Sequence, residues 1–238
     1  MDSIDLFEAM STQLSARGYT DEPVLDADVE RILEAATWAP NAANRQLWEF
    51  IVIRDAAVKK GLAALYRKSL ALLADSMPGV PLDLTSGQAP GADVATVSDP
   101  VRTTYIKGAD PRTAPRTMLK WGANLAETLE EVPVIIVVGW DRSGFPYSTD
   151  GIFKTFTDET VYTGVMPAVQ NLMLAARGLG LGTCLTTVAN IYEGKMKELL
   201  GVPQPVQLVA LLPLGYPSVP FTPRKRIPIG EKLHRDRW

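Results

Sequence analysis

Residues 39–50 read A-P-N-A-A-N-R-Q-L-W-E-F, and here the chain turns from helix to strand. Upstream, Val29, Ile32, Leu33 and Ala36 recur at helical spacing, with Asp26 placed to cap the helix they define. Trp38, Ala39 and Pro40 end that helix, because proline pushes the residue before it out of the helical region. Downstream, W-E-F-I-V-I over residues 48–53 is aromatic and β-branched and predicts a strand, with Trp48 turned to the core. Between the two lie Pro40, Asn41, Asn44 and Gln46. These polar groups are amides and backbone, without an acid or a base. They suit recognition of a heteroaromatic ring or a polyol rather than proton transfer, though a packed connector could carry the same residues.

Reading outward, residues 6–14 predict a first helix with Leu6, Met10 and Leu14 on one stripe, broken over 18–23. Further helices are expected over 57–74, 118–129 and 161–179, with a short one over 195–200 closed by Gly201. The long helix turns Val165, Val169, Leu172, Met173 and Ala176 inward, and Pro167 is compatible with it only near a first turn. Residues 132–140, V-P-V-I-I-V-V-G-W, form an unbroken apolar run, as in a strand covered on both faces, and 206–216 is the last strand. Three strong strands against five or more helices, without an internal repeat, predict an α+β domain spanning 1–238. Residues 76–117 break the pattern. They begin with a stretch rich in Pro, Gly, Thr, Ala and Asp, and are expected to be a lid or variable insertion.

Composition narrows the chemistry. Of 238 residues, 46% are hydrophobic and 21% charged, as in an ordinary globular protein. A net charge of -3 argues against a nucleic-acid footprint. One cysteine, Cys184, and one histidine, His234, leave no disulfide framework, no thiolate metal cluster and no His-based triad within the chain. No metal is expected. The N-terminal residues are acidic and lack an apolar signal core, and the longest apolar run is too short for a bilayer. A cytoplasmic protein without a membrane partner is expected. The chemistry then falls to carboxylates, cations, hydroxyls, backbone, or a borrowed cofactor.

Four short motifs remain. R-G-L-G-L-G-T over 177–183 contains G-x-G-x-G, but it follows a helix, whereas a dinucleotide fingerprint follows a strand. Gly178 or Gly180 is expected to supply a left-handed helix end, and Gly182 a tight entry to the next segment. Ser15 and Arg17 can hold a phosphate or an anionic ring edge, or form a solvated surface pair. Leu185, Thr186 and Thr187 place two hydroxyls at a turn, where they can donate to a ring nitrogen or turn the chain. P-R-K-R-I-P over 223–228 puts Arg224 and Arg226 on one side of an extended tail, as a phosphate clamp or a solvated terminus.

In order, these are x-x-S-x-R, then A-P-x-x-x-N-x-Q-x-W-x-F opening a strand, then Q-N-L-M-L-A-A-R-G-L-G-L-G-T, then P-R-K-R-x-P. The succession resembles the FMN-dependent nitroreductase superfamily, from about Asp5 to Pro228. The resemblance implies a nitroreductase-like α/β sandwich with a small, mostly antiparallel sheet flanked by helices. It also implies an intertwined homodimer with FMN at the interface, and residues 217–238 reaching toward the partner subunit.

By the same resemblance, cofactor binding falls to Gln13, Ser15 and Arg17, to Pro40, Asn41, Ala42 and Asn44 from the partner, to Leu185, Thr186 and Thr187, and to Arg224 and Arg226. Gln13 and Leu14 depart from the family pattern, which carries a cation at the first of these positions and often at the second. Arg17 and Thr186 are the implied catalytic pair, beside the pyrimidine edge and N5 of the flavin. NADH or NADPH would supply the hydride by ping-pong kinetics, and a small nitroaromatic or quinone would accept it. Tyr105, Lys107, Arg112 and Arg116 are candidates for acceptor selection. The Thr186-Thr187 pair and the L-L-P-L-G-Y-P-S ending also resemble the iodotyrosine deiodinase branch, which implies reductive dehalogenation of halophenols or halotyrosines. A non-catalytic flavin or deazaflavin binder, or a flavin-consuming synthase, is the third alternative.

Overall fold

The computed structural model describes residues 4–75, 115–144, 152–224 and 226–238. Among the described residues there are six α-helices, α1 (Leu6–Thr12), α2 (Asp26–Thr37), α3 (Ala56–Asp75), α4 (Pro115–Thr128), α5 (Ile152–Gly178) and α6 (Glu193–Leu200). Four strands are β1 (Trp48–Ile53), β2 (Val134–Asp141), β3 (Gly182–Thr183) and β4 (Val206–Gly215). The strands form one antiparallel sheet in the order β1-β2-β4-β3. The α+β class and the antiparallel sheet agree with the sequence.

The apolar run in β2 is covered on both faces. Ile136, Val138 and Trp140 pack with Ile32 of α2 and with Val165, Val169 and Leu172 of α5. The alternate residues Ile135 and Val137 pack with Leu62, Tyr66 and Leu70 of α3 and with Leu125 of α4. The period-2 alternation of a strand thus sends neighbouring residues into two separate cores.

Four local expectations are corrected. Leu25, not Asp26, is the N-cap of α2; Asp26 opens the helix and its carboxylate meets Arg54 at 2.8 Å. Capping of α1 falls instead to Asp5, whose carboxylate accepts from the backbone N–H groups of Phe7 and Glu8. Leu6 and Met10 are exposed, and α1 turns Ala9 and Thr12 inward, because it packs on α5 by its other side. Pro167 lies deep in the 27-residue α5, which begins earlier than its apolar periodicity suggested. A proline there removes one intrahelical hydrogen bond, and α5 continues because α2 and the sheet pack along it. The fourth strand, β3, was legible only as a tight connection; it is two residues long and needs β4 as partner.

Strand β4 carries one irregularity with a dedicated repair. Opposite Val138 and Gly139 stand Ala210 and Leu208, so Val209 is an extra residue in the ladder. The Asn190 amide donates to the carbonyls of Leu208 and Val209 at 3.1 and 3.0 Å, and the Leu208 N–H donates to Glu193 at 2.8 Å. Asn190→Ala leaves two part-buried carbonyls without their donor and is expected to lower unfolding free energy by about 2 kcal/mol. Urea denaturation measures it; a change below about 0.5 kcal/mol would show that solvent replaces the amide.

Candidate functional site

One cluster forms at the β3 edge of the sheet. Ser15 forms a parallel bridge with Thr183, and the Ala16 N–H donates to the Thr183 carbonyl at 2.9 Å. This approach requires glycine next door. A Cβ on Gly182 would sit 2.8 Å from the Ala16 Cβ and 3.1 Å from the Pro217 Cβ, closer than packed carbons come. Gly180, at φ 78°, supplies the left-handed turn that leads there from α5. The Arg17 guanidinium folds back to donate to the Ser15 carbonyl at 3.1 Å, and the Arg17 carbonyl accepts from the Thr128 hydroxyl at 3.0 Å.

Thr186 joins the cluster further along the same edge of β4 that pairs with β3. It exchanges both backbone hydrogen bonds with Leu211, at 3.0 and 2.9 Å, and its hydroxyl accepts from the Val188 N–H at 3.3 Å. Leu185 is half-buried and Thr187 exposed beside it. Tyr66 of α3 closes the floor. Burial pushes its phenol up to about 12, while a hydrogen bond with the Thr186 side chain acts the other way. Burial likewise raises the Cys184 thiol, against the Arg17 charge and a hydrogen bond from Ser15. A buried thiol held above its usual value is a packing group, not a nucleophile. The cluster therefore offers one fixed cation and several hydroxyls, with Tyr66 and Cys184 kept neutral.

A second cluster forms around the loop before β1. Asn41 donates to the Ala39 carbonyl at 3.3 Å and accepts from the Gln46 N–H at 2.8 Å, which ties the loop to itself. Ala43, Asn44 and Gln46 hold φ values of 53°, 51° and 53°. Left-handed backbone at three non-glycine residues is strained and is typical of a ligand-binding loop. Arg45 reaches the Gly144 carbonyl. Under the loop opens a shallow cleft lined by Asn41, Gln46, Trp48, Trp140, Gly164 and Val165 among others. Ala42 also lines it, and Pro40, Ala42 and Asn44 are exposed.

The two clusters do not meet within one chain. The loop enters β1 at Trp48, whose register runs through Trp140 to Gln207, whereas Thr183 pairs with Leu214. Three strand spacings across and seven residues along the pleat separate these corners by about 25 Å, and the Thr186 corner by about 20 Å. A fused three-ring system cannot touch both.

Gln13 turns toward α5, accepting from the Gln170 amide at 3.0 Å and donating to the Met173 sulfur at 3.4 Å. The tail after β4 stays with the Ser15–Arg17 corner, since Tyr19 pairs with Pro217 and the Ser218 N–H donates to the Gly18 carbonyl at 3.0 Å. Beyond it Arg224 is half-buried and Arg226 exposed. Tyr105, Lys107 and Arg112 lie outside the described residues, and Arg116 stands in the first turn of α4. Tyr66, Arg177 and Phe221 had no distinguishing signal in the sequence. Tyr66 reads as one more core residue of α3, and an Arg at a helix end reads as solvated.

Among the described residues, no group of three or more His, Cys, Asp or Glu could hold a metal ion, and no helix is long and apolar enough to cross a membrane. The Nitroreductase family model matches residues 12–216. An Archaeoglobus fulgidus protein, provisionally named NADH dehydrogenase/NAD(P)H nitroreductase, is 26% identical over 95% of this chain and 95% of its own length. Iodotyrosine deiodinase 1 of Rattus norvegicus is 25% identical over 95% of this chain and 68% of its own length. An oxidized iodotyrosine deiodinase, solved with FMN and 3-iodo-L-tyrosine, shares the fold at a TM-score of 0.65 and 20% identity, over 98% of this chain and 100% of that one. The chain therefore belongs to the nitroreductase family, a family of flavin-dependent oxidoreductases.

Proposed function

We propose that the protein is an FMN-dependent NAD(P)H oxidoreductase that works as a homodimer and passes a hydride, by ping-pong kinetics, to a nitroaromatic or quinone-type acceptor. The observation that carries this reading is the placement of two complementary half-sites at opposite corners of one sheet. One offers a cation and hydroxyls, the other amides and a strained loop over an aromatic-lined cleft. Two-fold symmetry brings the loop of one copy to the Arg17 corner of the other and completes two equal sites. Leu6, Phe7 and Met10 of α1, and Ile229, Leu233 and Trp238 of the tail, are large apolar residues exposed in the single chain. A partner subunit would cover them.

The donor set fits FMN. Ser15, Arg224 and Arg226 would hold the phosphate, a match of guanidinium forks to phosphate oxygens. Leu185 and Thr187 would line the ring edge, and Pro40, Asn41, Ala42 and Asn44 would wrap it from the partner subunit. When bound, the flavin supplies the hydride chemistry, and the protein supplies binding, orientation and electrostatics. Arg17 would set a fixed positive charge beside the pyrimidine edge, where negative charge gathers on reduction. Thr186 would present its hydroxyl toward N5. Its backbone is locked to Leu211, and its hydroxyl oxygen accepts from the Val188 N–H, which fixes where the side chain stands.

The purified protein is expected to show flavin absorption bands, as isolated or after reconstitution with FMN, that bleach on anaerobic titration with NADH or NADPH. Absence of bands after reconstitution would overturn the reading. Reductive dehalogenation is the second reading, favoured by likeness to iodotyrosine deiodinases over 95% of the chain. Product analysis with a halotyrosine beside a quinone under the same reductant separates the two.

A further inference from the structure

The geometry points to Arg177 and Phe221 as positioning residues, a latch that fixes the C-terminal segment so that its cations reach the cofactor phosphate. The inference rests on the flavin reading above and names what that reading leaves open, namely how the chain manages without a cation at position 13.

Gln13 does not serve in its place as the structure stands. Both ends of its amide are engaged by Gln170 and Met173 on α5. One turn further along the same face of α5 stands Arg177, in the last turn of the 27-residue helix. A cation is favoured at that helix end. Its side chain is 12% exposed, and its nitrogens are aimed back at α1. Nε donates to the Thr12 hydroxyl at 2.9 Å, and Nη2 lies 3.5 Å from the Glu8 carboxylate. These contacts fix the guanidinium plane and leave its face for Phe221, whose ring centroid lies 4.1 Å from the guanidinium carbon. A cation held this way over an aromatic ring is attracted to it well beyond simple contact.

Phe221 is the point where the tail is caught after its pairing with Gly18 and Tyr19. Arg224 follows three residues later, about 10 Å along an extended chain. Between them the Thr222 hydroxyl is buried, without a hydrogen-bond partner among the described residues. A buried hydroxyl rarely goes unsatisfied, and a phosphate oxygen would satisfy it. The tail is thus pinned at Phe221, with a buried hydroxyl next to it and a half-buried guanidinium three residues on. A late cation, positioned by Arg177, would take over from the early one that the family pattern carries.

The test is FMN binding to the flavin-stripped full-length protein, read by quenching of flavin fluorescence, with thermal melts of each variant. Phe221→Leu is expected to weaken FMN binding about tenfold, whereas Phe221→Tyr, which keeps the ring, stays near wild type. Arg177→Lys, which keeps the charge but not the flat stacking face, is expected to fall between them. If Phe221 acts through Arg224, then Phe221→Leu added to Arg224→Gln costs less than about twofold more. Trypsin should also cut the tail faster in Phe221→Leu. Wild-type affinity in Phe221→Leu would overturn the latch and leave the flavin reading standing. So would losses in Phe221→Leu and Arg224→Gln that simply multiply. Failure of the wild-type protein to take up FMN would sink both.

Discussion

Arg17→Gln is expected to lower kcat/KM for NAD(P)H-driven acceptor reduction about a hundredfold, the scale on which a single preorganised charge-stabilising donor acts. The reason is positional. The Arg17 guanidinium is folded onto the Ser15 carbonyl, and its backbone is tied to Thr128, so the charge is already in place before reduction begins. A fixed cation in a partly buried site loses little free energy to reorganisation, and it favours the reduced ring over the oxidised one. One readout besides turnover should move with it. The bound flavin should become harder to reduce, by tens of millivolts at least, since about 29.6 mV corresponds to a tenfold change in a two-electron couple. Arginine stays protonated throughout, so the defect should be flat from about pH 6 to 9. The fold should persist, because the lost contact to Ser15 is worth about 1 kcal/mol. A loss below threefold with an unchanged potential would move the charge-stabilising role to another residue.

The second large effect is recovery of activity from two inactive variants. Arg17→Gln damages one corner of the sheet. Asn41→Ala with Asn44→Ala damages the other, where Asn41 holds the Gln46 N–H at 2.8 Å and keeps the left-handed loop in shape. If each site takes one corner from each subunit, a mixed dimer carries one site with both lesions and one with neither. Random reassociation makes about half the dimers mixed, so the mixture should regain about a quarter of wild-type activity from nearly inactive parents. The comparison is made after co-refolding or co-expression, with sedimentation to establish the dimer. Activity that stays at the parental level in proven mixed dimers would show that each chain builds its own site. That outcome would contradict the separation of about 20 Å drawn from the strand register.

The elements with long, clean periodicity were legible in the sequence. The strand over residues 48–53 and the buried run within 134–140 stand as read, and the apolar face of α2 buries Val29, Ile32 and Ala36. Caps and faces were harder, since they depend on neighbours far along the chain. Asp26 has the chemistry of a cap, but Arg54 on a distant segment claims its carboxylate. Leu6 and Met10 have the spacing of a core stripe, but α5 lies on the other side of α1. Among the site residues, Ser15, Arg17 and Thr186 could be picked out by type. Their meeting could not, because a glycine at 182 lets the Ala16 backbone approach β3 across some 170 residues of chain.

The sequence by itself determined the class of fold and carried the motifs of the family, and its one histidine and one cysteine removed metal clusters and histidine triads from the candidate chemistry. These follow from residue type and local period, which every window of the chain carries. Only the tertiary structure decided that the loop before β1 and the Arg17 corner lie apart, that Gln13 is engaged by α5, and that the Arg177 guanidinium stacks on Phe221 of the tail. Such facts rest on sheet register and on which helix faces meet, and those are set by packing between segments that share no local signal.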